Sequence, residues 1–279
     1  MFRRRFAALA AALLALPAAL AALPSRTLAA PSVVLATTTS TQDTGLLDVL
    51  IPAFEKASGY SVKTIAVGTG AALAMGERGD ADVLLVHAPA AEEAYMAKGR
   101  GLSRALVMHN AFIVVGPAAD PAHVRGLPTA QAAFAAVARA GAPFVSRGDD
   151  SGTNIKELAL WKAAGVTPAG AWYVKTGSGM GDTLHVASQK AAYTLSDDGT
   201  YLSQRATLQL VPLVEDAADL RNIYHVIVVK PIPGRVSNQA GGEAFARFVV
   251  SPAGQHLIAT FGREKFGRPL FTPDAGKGP

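Results

Sequence analysis

The sequence predicts an α/β protein with two lobes and mostly parallel sheets. Short apolar strands alternate with helical patterns along most of the chain, which is the order that builds parallel sheets. Two longer apolar strands, at 106–115 and 224–230, are placed to carry the chain into a second domain and back. Half of the 279 residues are apolar, which is enough for one large core or two of ordinary size.

The first 30 residues have the pattern of a cleavable signal peptide. Arg3, Arg4 and Arg5 precede an Ala/Leu-rich run, and small residues around 27–30 offer a cleavage site. The run is roughly 18 residues long, so an uncleaved membrane anchor is the alternative. Its high alanine content and Pro17 favour the signal peptide. The sequence therefore predicts secretion to the periplasm.

Charge and cysteine content exclude several classes of function. Four of the 26 basic side chains lie in the first 30 residues and none of the 21 acidic ones does, so residues 31–279 carry a net charge of +1. We therefore expect no nucleic-acid binding. The chain has no cysteine, which excludes disulfides, thiolate metal sites and a lipid anchor on cysteine. The six histidines form no metal-binding pattern, so no cation site is expected.

The first lobe is predicted from three strand–helix units. The first strand ends in a loop of hydroxyl residues, Thr37–Gly45, and Pro52 is expected to kink or restart the helix that follows. The second strand ends in a polar turn, Gly68–Gly70. The predicted strands are 32–36, 61–67 and 81–86, and the predicted helices are 45–57, 71–78 and 90–98.

The second lobe follows the crossing strand at 106–115 and repeats the same arrangement. The predicted helices are 130–140, 154–164 and 183–190, and the predicted strands are 143–145, 172–174 and 191–195. After the return strand, helices at 242–250 and 252–260 are expected to pack back on the first lobe. We therefore predict lobe 1 at 31–109 plus 226–279 and lobe 2 at 110–225.

The polar loops between strands and helices are typical of an anion site. A loop that ends a strand and starts a helix presents free backbone N–H groups and the positive end of the helix dipole. The same residue types also serve simply as helix caps and turn formers. The recurrence of the arrangement at several loops favours anion binding.

Four motifs, in order, resemble those of the periplasmic tungstate-binding proteins of ABC-type transporters. They are TTTSTQD at 37–43, SRGDDSGT at 146–153, GSGMG at 177–181 and AYTLSD at 192–197. The resemblance implies a type II periplasmic binding protein fold, with two α/β lobes joined by two crossover strands and the ligand clamped between them. It also implies a permease and an ATPase as partners, and tungstate or molybdate as ligand without any cofactor.

A tetrahedral dianion without a proton requires many hydrogen-bond donors. Arg147 is the predicted full charge, although it could instead pair with Asp149 or Asp150 at the surface. Gly179 and Met180 would donate through the backbone, and Met180 could equally fill the core. The predicted ligand-binding residues are Thr38, Thr39, Ser40, Thr69, Arg147, Ser151, Gly152, Thr153, Gly179, Met180 and Thr194.

The residues also suggest alternative functions and roles. The same fold could take phosphate or molybdate as its main ligand. Ser178 in a Gly-rich turn suggests an exported serine hydrolase, but the Gly-x-Ser-x-Gly pattern is absent, so no enzyme is predicted. His87, at the end of a strand, could approach the cleft or be a structural residue.

We expect a monomer that closes around its ligand by hinge motion.

Overall fold

The computed structural model describes residues 30–277, and the predicted signal peptide lies outside this range apart from Ala30. The strands are β1 (Ser32–Thr38), β2 (Ser61–Val67), β3 (Val83–Val86), β4 (Gly101–Pro117), β5 (Phe144–Ser146), β6 (Tyr173–Lys175), β7 (Thr194–Asp197), β8 (Leu210–Val214), β9 (Arg221–Val229) and β10 (Thr272–Pro273). The α-helices are α1 (Thr39–Asp43), α2 (Leu47–Ser58), α3 (Thr69–Arg78), α4 (Pro89–Ala97), α5 (Ala130–Ala140), α6 (Gly152–Ala163), α7 (Met180–Gln189), α8 (Asp198–Gln204), α9 (Gln239–Val250), α10 (Pro252–Thr260) and α11 (Arg263–Phe266).

The long strand β4 belongs to two parts of the sheet. Its first half lies between β9 and β10 in the strand order β10-β4-β9-β3-β1-β2. Its last residues, from Phe112 to Pro117, pair instead with β7 and β8. Strands β5 and β6 form a separate pair, and Phe144 of β5 bridges to Tyr193 beside β7. The chain therefore crosses along β4 and returns along its neighbour β9.

The expectation of mostly parallel sheets holds only for strands that helices connect. Strand β1 pairs in parallel with β2 and β3, and β5 pairs in parallel with β6. Strands β4 and β9 are antiparallel to each other and to the other strands they pair with. The correction has a simple cause, because one crossover strand leaves the first lobe and the other returns to it.

The buried apolar side chains form separate clusters on either side of the crossover. Two clusters draw their buried members from the range 33–108 and from 224–271. Two others draw theirs from 112–220. The lobe boundaries given above remain a prediction. No helix between residues 30 and 277 combines the length and the apolarity that a membrane crossing needs.

Candidate functional site

Four helices begin at or shortly after the ends of strands, in polar stretches of the sequence. Thr38 caps α1 and Ser151 caps α6, each with its side-chain oxygen accepting a backbone N–H. Gly68 and Gly179 occupy the equivalent positions before α3 and α7 and supply no side-chain cap. The first amides of a helix have no partner within the helix and carry partial positive charge. Each of these four positions can therefore offer backbone donors to an anion.

Loops from the two sides of the crossover meet at this point. Arg147 Nη2 donates to Thr39 Oγ1 at 3.0 Å. A Cβ atom placed on Gly68 would lie 3.1 Å from the carbonyl oxygen of Asp149. One placed on Gly152 would lie 3.0 Å from Thr69 Oγ1. The starts of α1, α3 and α6 are thus packed closely together.

Several buried donors in this region have no hydrogen-bond partner among residues 30–277. They are the hydroxyls of Thr69 and Thr153 and the Nε and Nη1 atoms of Arg147. Buried polar side-chain atoms are nearly always hydrogen-bonded, so each such group requires an explanation. All of these atoms can donate, and they come from both predicted lobes. A ligand that is rich in acceptors would satisfy them together.

Arg147 is buried, with 2% of its surface exposed. Its Nη2 atom pairs with Asp149 at 2.7 Å, so the alternative of a pair with that residue is present, but in the interior. The other carboxylate oxygen of Asp149 accepts the amide of Ser151. Gly148 has φ +61° and lets the chain turn directly after Arg147. Asp149 therefore orients the guanidinium and leaves two of its nitrogens available.

Two further carboxyl groups lie near Arg147. Burial raises the pKa of Asp43, and the positive charge of Arg147 opposes that shift. Burial likewise raises the pKa of Asp197, whose Oδ1 caps α8 by accepting the Thr200 amide at 2.8 Å. Both carboxyls therefore take up protons more readily than free ones, which weakens their repulsion of an anion.

His87 is buried directly behind the hydroxyl loop. Its Nε2 lies 3.0 Å from Thr38 Oγ1 and 3.3 Å from Ser40 Oγ, and its Nδ1 lies 2.9 Å from Asn222 Oδ1. Burial lowers the pKa of His87 to about 4, so the ring is neutral at pH 7. The sequence suggests that His87 either approaches the cleft or is a structural residue, and each description fits part of this arrangement. The ring reaches the hydroxyl loop, and both of its nitrogens have hydrogen-bond partners.

We expect acid to destabilise the protein through His87. Because the folded pKa of about 4 lies below the unfolded value of 6.5, the unfolded state binds more protons between those limits. Stability should therefore fall by roughly 2 to 3 kcal/mol as the pH drops from 7 to 4.5. Urea unfolding of the wild type and of His87→Gln at both pH values measures this loss. Equal losses in the two proteins would contradict the assignment.

Glu157 of α6 holds the Arg147 loop in place, and sequence reasoning missed it. Its carboxylate accepts from Ser146 Oγ at 2.6 Å, Tyr173 Oη at 2.7 Å and Trp161 Nε1 at 2.9 Å. Asn154 adds a fourth, longer contact at 3.3 Å. The sequence indicates Glu157 only as a charged residue among the apolar positions of a helix.

Replacing Glu157 by glutamine should destabilise the fold by about 2 to 3 kcal/mol. An amide offers one acceptor oxygen, so its NH₂ group must face donors that then lose their partner. Denaturant unfolding at pH 7 tests this. Glu243→Gln is the matched control, because its ion pair with Arg247 is exposed and should contribute less than about 0.5 kcal/mol. A loss no larger than that of the control would contradict the role of Glu157.

The structure brings most of the predicted ligand-binding residues together. Thr38 is used as a cap and as a partner of His87. Met180 begins α7 with its side chain in a hydrophobic cluster, so only its backbone can donate to a ligand. The prediction for Thr194 needs correction. Its hydroxyl donates to the Val145 carbonyl at 2.7 Å, so its one hydrogen is not available to an anion.

The same region offers no arrangement for a cation. No group of three or more His, Asp or Glu side chains in the described part of the chain is placed to hold a metal ion. A cavity of about 370 Å³ adjoins the site at His87 and Gly152 and is also lined by Lys156 and Arg221. The basic side chains along this cavity suit an anionic ligand better than a metal cation.

Comparison with known proteins places the chain in a family. A model of the PBP superfamily domain matches residues 25–253. The tungstate-binding protein TupA of Peptoclostridium acidaminophilum is 51% identical over 244 residues, which cover 87% of this chain and 85% of that protein. The chain belongs to the TupA family of periplasmic binding proteins. The α/β fold with two crossover strands is thereby confirmed.

Solved TupA-family structures superpose on most of the chain. The tungstate ABC transporter structure from Geobacter sulfurreducens is 44% identical, with a TM-score of 0.75, and covers 82% of this chain and 98% of its own. The tungstate-binding protein TupA from Desulfovibrio alaskensis G20 is 45% identical, with a TM-score of 0.74, and covers 88% and 100%. The family is one of solute-binding proteins, not of enzymes.

Proposed function

We propose that this protein binds tungstate between its two lobes and delivers it to an ABC transporter. The observation that carries the proposal is the set of buried donors without partners on Thr69, Thr153 and Arg147. They lie on loops and helix starts of both predicted lobes that pack against one another, an arrangement that suits a tetrahedral oxyanion. The names of the TupA relatives support tungstate as that oxyanion.

The donor set favours a dianion that carries no proton. A protonated ligand such as phosphate needs an acceptor in the site to take its hydrogen. Both oxygens of Asp149 are already used, by Arg147 and by the amide of Ser151. Asp149, the carboxylate bonded to Arg147, therefore has no oxygen left to accept a ligand proton, and hydroxyls, amides and one guanidinium are the donors proposed to contact the ligand. Tungstate and molybdate share charge and shape, so this argument does not separate them.

The remaining parts of the proposal concern the setting of this protein. It is exported by its signal peptide, acts in the periplasm as a monomer and is read by a permease with an associated ATPase. It has no enzymatic activity. The hydroxyl of Ser178 faces the Thr176 carbonyl oxygen at 3.5 Å instead of a histidine base, which argues against a hydrolase.

Binding should be accompanied by closure of the lobes. The close approach of Gly68 to Asp149 and of Gly152 to Thr69 corresponds to a closed cleft. Small-angle scattering with and without saturating tungstate should show a smaller radius of gyration for the bound protein. Identical curves would contradict closure.

The decisive experiment is calorimetric titration of the mature protein after unfolding and refolding without ligand. Tungstate, molybdate, sulfate and phosphate are titrated in parallel. We expect tight one-to-one binding of tungstate and no heat with sulfate or phosphate, while the molybdate titration measures selectivity. Binding of phosphate without binding of tungstate would overturn the proposed ligand and leave the fold intact.

A further inference from the structure

A buried chain of hydrogen bonds leaves the site, passes through the crossover strands β4 and β9, and ends at α8. The residues along it are all at most 5% exposed. In order they are Thr41, Thr38, His87, Asn222, Asn110 and Asp198. The distances between successive polar atoms are 2.6, 3.0, 2.9, 2.7 and 2.9 Å. The chain thus joins the first turn of α1 to the first residue of α8.

The crossover strands supply the middle of this chain. Asn110 of β4 and Asn222 of β9 are direct partners in the register of the two strands. The NH₂ group of Asn222 contacts the side-chain oxygen of Asn110 and also Tyr224 Oη at 3.1 Å. The NH₂ group of Asn222 has two hydrogens, so it can donate to both of these oxygens.

The direction of every bond follows from the last group. Above its raised pKa of about 7, Asp198 is an ionised carboxylate that only accepts, so Asn110 must turn its NH₂ group toward it. The oxygen of Asn110 then faces Asn222, which must donate with its NH₂ group and turn its oxygen toward His87. His87 must therefore carry its hydrogen on Nδ1.

The neutral ring then has a bare acceptor at Nε2, which faces the hydroxyl loop. Thr38 is the nearer hydroxyl and donates to it, while its own oxygen accepts the Thr41 amide and the Thr41 hydroxyl. When the hydrogen bonds run in this direction, the hydroxyl hydrogens of Thr41 and Thr38 both have an acceptor.

We propose that Asp198 is a positioning residue that sets the hydrogen-bond direction of the binding site. Acting through Asn110 and Asn222, it fixes the Nδ1–H form of His87 and turns the hydrogen of Thr38 away from the ligand. Ser40 is then the α1 hydroxyl in contact with His87 whose hydrogen is left for an oxyanion. The effect on ligand affinity rests on the proposed function, whereas the form of His87 does not depend on it.

The direct test is the tautomer of His87, read from the ¹⁵N shifts of its two ring nitrogens. The spectrum is recorded at pH 8, because burial and the neighbouring Asp197 raise the pKa of Asp198 to about 7. A His87→Gln spectrum identifies the resonances among the six histidines. We expect the Nδ1–H form in the wild type. The Nε2–H form would overturn the proposal, whatever ligand the protein binds.

Asp198→Asn supplies the second test, since an amide can face Asn110 with either its oxygen or its NH₂ group. We expect a mixture of His87 tautomers and a tungstate affinity lowered about tenfold, because one buried group can lose its partner. Asp216→Asn is the control. Asp216 and Asp198 both line a cavity of about 360 Å³, together with Arg268. Asp216→Asn therefore removes a neighbouring carboxylate and leaves the chain of hydrogen bonds unchanged.

A double variant provides a rescue. Asp198→Asn with Asn110→Asp moves the carboxylate one step along the chain, where it still forces Asn222 to donate. We expect the Nδ1–H form and most of the affinity to return. Unchanged tautomer and affinity in Asp198→Asn would overturn the proposal. If that variant does not fold, the tautomer of the wild type alone decides.

Discussion

Replacement of Arg147 by lysine should lower tungstate affinity by about 100-fold. Lysine keeps the charge but loses the planar fork, and two charge-assisted hydrogen bonds of about 1.5 kcal/mol each correspond to a factor of that size. The two unpartnered nitrogens of Arg147 are the atoms whose bonds would be lost. The fold should tolerate the change, because the lysine ammonium can still pair with Asp149.

Calorimetric titration of Arg147→Lys with tungstate measures the effect. Arg139→Lys is the matched control, because Arg139 is exposed near the end of α5 and should bind as the wild type does. Thermal unfolding of both variants separates a binding defect from a folding defect. An affinity within twofold of the wild type would remove Arg147 from the site.

Gly152→Ala should also reduce tungstate affinity, by up to about 100-fold, through a different mechanism. The added Cβ would lie 2.7 Å from Cε1 of His87 and 3.0 Å from Thr69 Oγ1. Both neighbours belong to the predicted first lobe, so the clash arises only when the lobes close. Overpacking of this kind costs about 1 to 3 kcal/mol. We expect normal stability without ligand and a radius of gyration that no longer falls on adding tungstate.

Gly70→Ala is the control for this experiment. Gly70 lies in the first turn of α3, and its added Cβ would come no closer than 3.8 Å to Asp150, which is an ordinary contact. This variant should bind and close normally. If Gly152→Ala closes at the tungstate concentrations that close the wild type, the neighbouring side chains can move aside and the prediction is wrong.

The strand–helix units were predictable because they depend on local patterns. Strand β2 and helix α5 have the predicted bounds, and α5 ends at Ala140 and is capped by Gly141, whose φ of +58° is usual for a glycine after a helix. Helix α6 begins at Gly152, two residues before the predicted start, because the capping residue is Ser151.

Other elements depend on tertiary packing and were missed. Helix α1 contains two threonines, which disfavour helices, and it exists because Thr38 caps it and Ser40 and Thr41 are buried. Strand β8 contains Pro212, which argues against a central strand, yet it pairs with the end of β4. Helix α2 continues across Pro52 and does not restart there.

The candidate site was predictable as a set of loops but not as a network. Polar loops before helices predict Arg147, Thr69 and Thr153 as donors from sequence alone. Nothing in the sequence reveals that Asn110 lies opposite Asn222, because strand register depends on the whole sheet. The hydroxyl of Thr194 was misassigned for the same reason, since its use depends on the neighbouring β5 backbone.

The pairing of β4 with β9 also decides how opening can be observed. The two strands are joined by backbone hydrogen bonds over most of the length from Gly101 to Ala111, so they form a single ribbon. A ribbon bends easily out of its plane and resists bending within it, so we expect opening to follow one path. One fluorescent label on each lobe should then report the whole motion. Because the chain has no cysteine, two introduced cysteines would be the only thiols to react.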